Sequence, residues 1–176
     1  PKNAPITDLV KITREKFRPW VEVASRDKTC GWIMPGDLWV GPDGAVHIVW
    51  TERALDERLR AKFFPEAKQS HAINYAIVRE GKVVLRRTLM LSEEGKPSET
   101  GSSPRFQVTP DNRLFVVCYV SGQGADGKAV SENRLIEIHP GGEFGSPVKL
   151  PFTKPFTAYF TATVRGGSPA SKTLEM

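Results

Sequence analysis

The stretch Gly36–Thr51, GDLWVGPDGAVHIVWT, decides how the rest of the chain is read. Leu38, Trp39 and Val40 form one apolar arm, and Val46, His47, Ile48, Val49 and Trp50 form the other. Gly41-Pro42-Asp43-Gly44 stands between them. β-Branched and aromatic residues suit a pleated, half-buried strand. Pro has its φ already fixed, Gly supplies a positive φ, and Asp bonds its own backbone, so the break reads as a tight turn and the stretch as a β-hairpin. The design recurs in Pro104–Tyr119, PRFQVTPDNRLFVVCY, where Phe106 and Val108 precede Thr109-Pro110-Asp111-Asn112 and Leu114 through Tyr119 follow. Asn112 takes the place of Gly44, and Asn is the residue after Gly that best tolerates a left-handed backbone. Asp43 and Asp111 are 68 residues apart (111 − 43). Recurrence on this scale points to a propeller, solenoid or array.

A second kind of hairpin alternates with the first. Ile73–Val78, the turn Arg79-Glu80-Gly81 and Lys82–Leu89 form one; Arg134–Ile138 and Pro147–Leu150, flanking His139–Gly145, form another. Leu9–Ile12 and Trp20–Val23 read as a third pair of this charged, amphipathic kind, and Ala158–Arg165, AYFTATVR, as one last strand. Segments 24–37, 51–72, 90–105, 120–133 and 151–157 read as loops. Within them, Leu55, Leu59 and Phe63 carry a four-residue rhythm. They predict either a short helix, with Thr51 as N-cap, an Asp56–Arg60 pair and a stop at Pro65, or a long ordered loop.

One unit is thus an apolar hairpin, a long loop and an amphipathic hairpin, giving four antiparallel strands with the apolar ones innermost. This is the build of a propeller blade. The expectation is an all-β partial β-propeller occupying 1–176 as one domain, with about two and a half four-stranded antiparallel blades. Their parts fall at about 1–25, 37–89, 105–150 and 156–165. Propellers close with roughly four to eight blades. The expected partners are therefore missing blades of the same propeller or other copies of this chain. Two copies could close a ring by joining the last strand of one to the first two strands of the other.

The totals agree with one globular unit. The chain has 176 residues, 39% hydrophobic and 26% charged, with a net charge of +5. Lys and Arg alternate with Asp and Glu, as in Arg53–Lys62, which reads as a solvated surface and not as a nucleic-acid interface. No run approaches the ~18 apolar residues of a membrane span. No charged–apolar leader opens the chain at Pro1, so it does not read as a fresh secretory precursor, and a leader already removed fits the missing Met. Cys30 and Cys118 could be two buried thiols or one bridge. No metal and no cofactor is expected.

The Pro-Asp-Gly hairpin ending in Trp50, followed by His71–Val78 (HAINYAIV) and Gly81–Leu89, resembles the sialidase-like propellers of BNR-type repeats. The resemblance covers roughly 9–165 and implies carbohydrate as ligand. The Ser-x-Asp-x-Gly-x-x-Trp box of that family is missing from the outer turns, Arg79-Glu80-Gly81 and His139-Pro140-Gly141-Gly142, and so is its Phe-Arg-Ile-Pro element. No catalytic residue carries over.

In a propeller the inter-blade loops and those between second and third strands gather at one end of the channel, which is where a ligand is expected. The candidates there are Asp37, Glu52, Arg53, His71, Arg105 and Arg165, with Trp32 as an aromatic contact. Arginines can fork onto a carboxylate or phosphate, and paired carboxylates such as Asp37 and Glu52 suit glycosidic acid–base work at the right separation. The plainer alternative for Asp37 and Arg105 is capping of loop backbone. His47 reads as a packed, hydrogen-bonded core histidine, and Trp39 and Trp50 as core. Ligand binding, a glycoside-processing enzyme completed by missing blades, and an interaction scaffold are the three functional readings. A converging pair of acids with an arginine would mark the enzyme, and an exposed aromatic beside polar groups the sugar binder.

Overall fold

The computed structural model describes residues 21–26 and 28–157. Leu9–Ile12, Trp20, Ala158–Arg165 and the candidate Arg165 lie outside them. The described chain is all-β apart from one short helix. It runs β1 (Trp32–Val40), β2 (Val46–Arg53), α1 (Glu57–Phe63), β3 (Ser70–Arg79), β4 (Lys82–Glu93), β5 (Glu99–Val108), β6 (Leu114–Gln123), β7 (Ala129–Ile138) and β8 (Val148–Lys149). Two antiparallel sheets of four strands result, in the orders β1-β2-β3-β4 and β5-β6-β7-β8.

The two Pro-Asp turns form as their residues dictate. Gly44 has φ 76° and Asn112 φ 62°. Ala45 N–H donates to Asp43 Oδ1 at 3.1 Å, and Gly41 and Ala45 close the hairpin at 2.8 Å, as Thr109 and Arg113 do at 3.0 Å.

Several element boundaries differ from the sequence reading. β1 begins at Trp32, β4 continues to Glu93 and β5 starts at Glu99, so the expected loop 90–105 is mostly strand and the expected loop 24–37 is strand from Trp32 onward. Both added stretches carry Pro in a strand at a sheet edge, beside an irregularity in register, between Pro35 and Asp37 and between Ser102 and Arg105. Edges and bulges are where a strand tolerates a residue without an N–H. Val21–Val23, expected to end a strand, belongs to none of the strands. The helix exists, but Asp56, not Thr51, caps it by accepting from Arg58 N–H. Asp56 pairs with Arg58 at 2.6 Å; Arg60 turns instead to Glu94 at 2.6 Å. Of the rhythmic apolar residues Leu55, just before the cap, is buried and Phe63 exposed, and the helix itself buries no residue.

One core joins the sheets. Val49, Ile73, Tyr75 and Ile77 of the first meet Phe106, Val108, Leu114, Val116, Ile136 and Ile138 of the second, and the rings of Tyr75 and Phe106 meet edge to face at 6.3 Å. β5 crosses the first sheet diagonally. Its early residue Gly101 lies against Ile73 and Met90, while Phe106 N–H donates to Asp37 Oδ2 of β1 at 3.0 Å. Arg105 also donates to Gly36 O. The approach is backbone to backbone: a Cβ at Gly36 would stand 2.8 Å from Val49 O and 2.9 Å from Pro104 O. Asp37 and Arg105 therefore bond backbone between the sheets, in mid-strand. Neither cysteine is bridged; Cys118 is buried and Cys30 exposed.

Candidate functional site

The sheet register assembles three of the expected residues. Trp32 pairs with Arg53, Arg53 with His71, and His71 with Ser92. Directly paired residues point to the same face of a sheet. Trp32, Arg53, His71 and Ser92 therefore make one row across all four strands, at the end where β2 passes to β3 and β4 to β5.

A cleft of about 460 Å³ opens beside this row, lined by Cys30, Trp32, Arg53, Leu55, Asp56 and Glu57 among others. Trp32 is 47% exposed. The Arg53 guanidinium carbon lies 5.8 Å from the centre of its ring, a stacking distance. Arg53 Nε is buried with no hydrogen-bond partner. A buried, unsatisfied N–H carries a desolvation cost that an incoming acceptor relieves. Burial, and then the Arg53 cation, hold the pKa of His71 below its ordinary value, so the ring is neutral near pH 7. The carboxylates at the cleft are already engaged. Arg58 holds the pKa of Asp56 down to about 2, and Glu57 Oε1 accepts from Gln69 Nε2 at 2.5 Å.

A second cleft, of about 340 Å³, continues from His71 past Ser92, Ser98 and Thr100, and Glu57 lines both. Ser92 Oγ donates to Ser98 Oγ at 3.0 Å, and Thr100 Oγ1 to Ser92 Oγ at 3.0 Å. These hydroxyls were not among the expected residues, because Ser98 and Thr100 sit in a stretch that reads as loop.

The other candidates lie elsewhere. Glu52 is not at a channel mouth. Its side chain is 1% exposed and fully committed: Oε1 accepts from Trp50 Nε1 at 2.6 Å and Arg86 at 2.7 Å, and Oε2 from Arg26 Nε at 2.7 Å. With Arg86 also donating to Val23 O at 3.3 Å, it fastens segment 21–26 to the outer face of the first sheet. Asp37 and Glu52 thus hold structure together and form no catalytic pair. His47 Nδ1 and the Tyr75 hydroxyl are 2.6 Å apart, and the ring tilts against Trp39 at 4.8 Å, as a packed histidine should. Among the described residues no three of His, Cys, Asp and Glu come together to hold a metal, and no helix is long and apolar enough to cross a membrane. No family model matches the chain, and neither a curated protein nor a solved structure does.

Proposed function

We propose that the chain is part of a β-propeller whose Trp32–Arg53–His71 end binds carbohydrate, with an acidic group of the sugar held by Arg53. The propeller reading is supported by two consecutive four-stranded meanders, each entered through a Pro-Asp hairpin whose strands carry most of the shared core. The carbohydrate reading rests on one observation: a half-exposed indole beside a guanidinium with an unsatisfied, buried N–H. The indole face stacks on the apolar face of a sugar ring, and the fork of Arg53 suits a carboxylate. The neighbouring hydroxyls of Ser92, Ser98 and Thr100 offer donors and acceptors of the kind a polyol exchanges with.

The enzyme reading is weaker because the acids at the cleft are bonded to Arg58 and Gln69, leaving no pair poised for proton transfer. Calorimetric titration of the 176-residue chain with uronic- and sialic-acid oligosaccharides, against neutral ones, tests the proposal. Acidic glycans are expected to bind, and Trp32→Ala or Arg53→Ala to weaken them at least tenfold. Absence of binding across both sets, or binding indifferent to both substitutions, would overturn it.

A further inference from the structure

The first sheet carries another row of paired residues at the opposite end of its strands. Trp39 pairs with His47 and His47 with Ile77, so the three share one face, and Ile77 places that face against the second sheet. Trp39 stands about 20 Å along β1 from Trp32. Beside the two Pro-Asp turns lies a cleft of about 270 Å³, walled by Trp39 and His47 of the first sheet and by Leu114 and Ile138 of the second.

Burial fixes the tautomer of His47. Tyr75 is 0% exposed, and its hydroxyl, 2.6 Å from His47 Nδ1, has no other hydrogen-bond partner among the described residues. Burial raises the pKa of Tyr75, so the hydroxyl keeps its proton. A buried O–H without an acceptor is costly, and Nδ1 is the acceptor it has. Burial also lowers the pKa of His47. The ring is therefore neutral near pH 7 and carries its one proton on Nε2. Nε2 has no partner among the described residues. It stands by the first turn, where a Cβ at Gly41 would be 3.5 Å from Nε2, 3.5 Å from Trp39 Cη2 and 2.8 Å from Asp43 Oδ1. The ions at the rim are already matched: Arg79 pairs with Asp43 at 2.5 Å and Arg113 with Glu137 at 2.9 Å. Asp111 adds a further carboxylate. An anion meets no unpaired arginine or lysine among the described residues there.

We propose that this cleft binds a small, neutral, flat molecule: an aromatic or heteroaromatic ring bearing a carbonyl oxygen, with the ring against Trp39 and the oxygen accepting from His47 Nε2–H. An indole facing aliphatic side chains suits a flat apolar ring, and a few fixed polar groups orient it. The one donor held in place is uncharged and the ions around it are paired, so the site selects a neutral acceptor over an anion. It is separate from the Arg53 cleft and independent of what that cleft holds.

Benzamide is the probe, with benzoate as its anionic counterpart and toluene as a ring without an acceptor. In proton–nitrogen NMR spectra of the 176-residue chain, millimolar benzamide is expected to shift the Trp39 indole N–H and the amides of His47, Asn112 and Leu114. Benzoate and toluene should bind about tenfold more weakly. Long-range proton–nitrogen correlations should show His47 as the Nε2–H tautomer. His47→Phe with Tyr75→Phe removes both partners of the buried bond and leaves neither unsatisfied. This pair should weaken benzamide about tenfold and leave toluene unchanged. Trp39→Leu, at a half-buried position, should weaken both. Near-UV circular dichroism checks that each variant is folded, and the tautomer and the Trp39 variant decide the matter if the double variant is not. Any one of four results would overturn the proposal: no shifts at tens of millimolar benzamide, benzoate binding as tightly as benzamide, an Nδ1–H tautomer, or binding indifferent to these substitutions.

Discussion

Replacing Glu52 by Gln should cost more stability than any other single exchange of like size. The carboxylate accepts from Trp50 and Arg86 on one oxygen and from Arg26 on the other, at 2.6–2.7 Å, and its side chain is 1% exposed. Gln turns one acceptor oxygen into a donor, so one side of the cluster faces donor against donor. Each lost charge-assisted bond contributes about 1.5–3 kcal/mol. The arginines are not deeply buried, with side chains 30% and 45% exposed, so water recovers part of the loss. The Trp50 indole is nearly buried and recovers little. A net destabilisation of about 2–4 kcal/mol follows. In urea, with a slope of about 2 kcal/mol/M, the unfolding midpoint should fall by about 1–2 M. Arg86→Met completes a cycle, and a coupling of about 1 kcal/mol or more is expected because the two groups touch. A loss within about 0.5 kcal/mol, with no coupling, would show that the cluster does not fasten segment 21–26 to the sheet.

Two further outcomes test the joint between the sheets. Gly36→Ala should destabilise by about 2 kcal/mol or more, because its methyl meets the carbonyl oxygens of Val49 and Pro104, which cannot turn aside; equal urea midpoints would refute the close approach. Burial lowers the pKa of His47 from its ordinary 6.5, as it does that of His71. The unfolded histidines therefore take up protons first as pH falls, and stability should decline from about pH 7 downward through the folded pKa values. Urea midpoints between pH 7.5 and 5.5 should lose most of that slope in the His47→Phe, His71→Gln double variant, and an unchanged slope would contradict it.

The hairpin turns were legible because their chemistry is local: Pro42, Asp43 and Gly44, and then Pro110, Asp111 and Asn112, specify a turn without help from elsewhere. The ends of β1, β4 and β5 were not. Pro35, Gly36, Gly101 and Pro104 read as loop, and only the neighbouring strands and the bulges between them make those residues part of a sheet. Trp32, Arg53 and His71 were each singled out, but their shared row depends on register. The irregularity between Pro35 and Asp37 shifts register away from what counting outward from the turn predicts. Glu52 was misplaced for a different reason. Its partners Arg26 and Arg86 are 26 and 34 residues away, and sequence neighbours gave no sign of them.

The diagonal path of β5 also bears on the order in which the molecule assembles. The first four strands are joined by short-range hairpins and a brief helix, contacts of the kind that form quickly. β5 lies across all of them, from Met90 and Ile73 to Asp37, so its resting place exists only once that sheet is complete. A chain synthesised from its N-terminus thus meets a finished platform as β5 emerges. A lesion in the earlier hairpins should leave the later strands without a surface to settle on, however sound their own sequence.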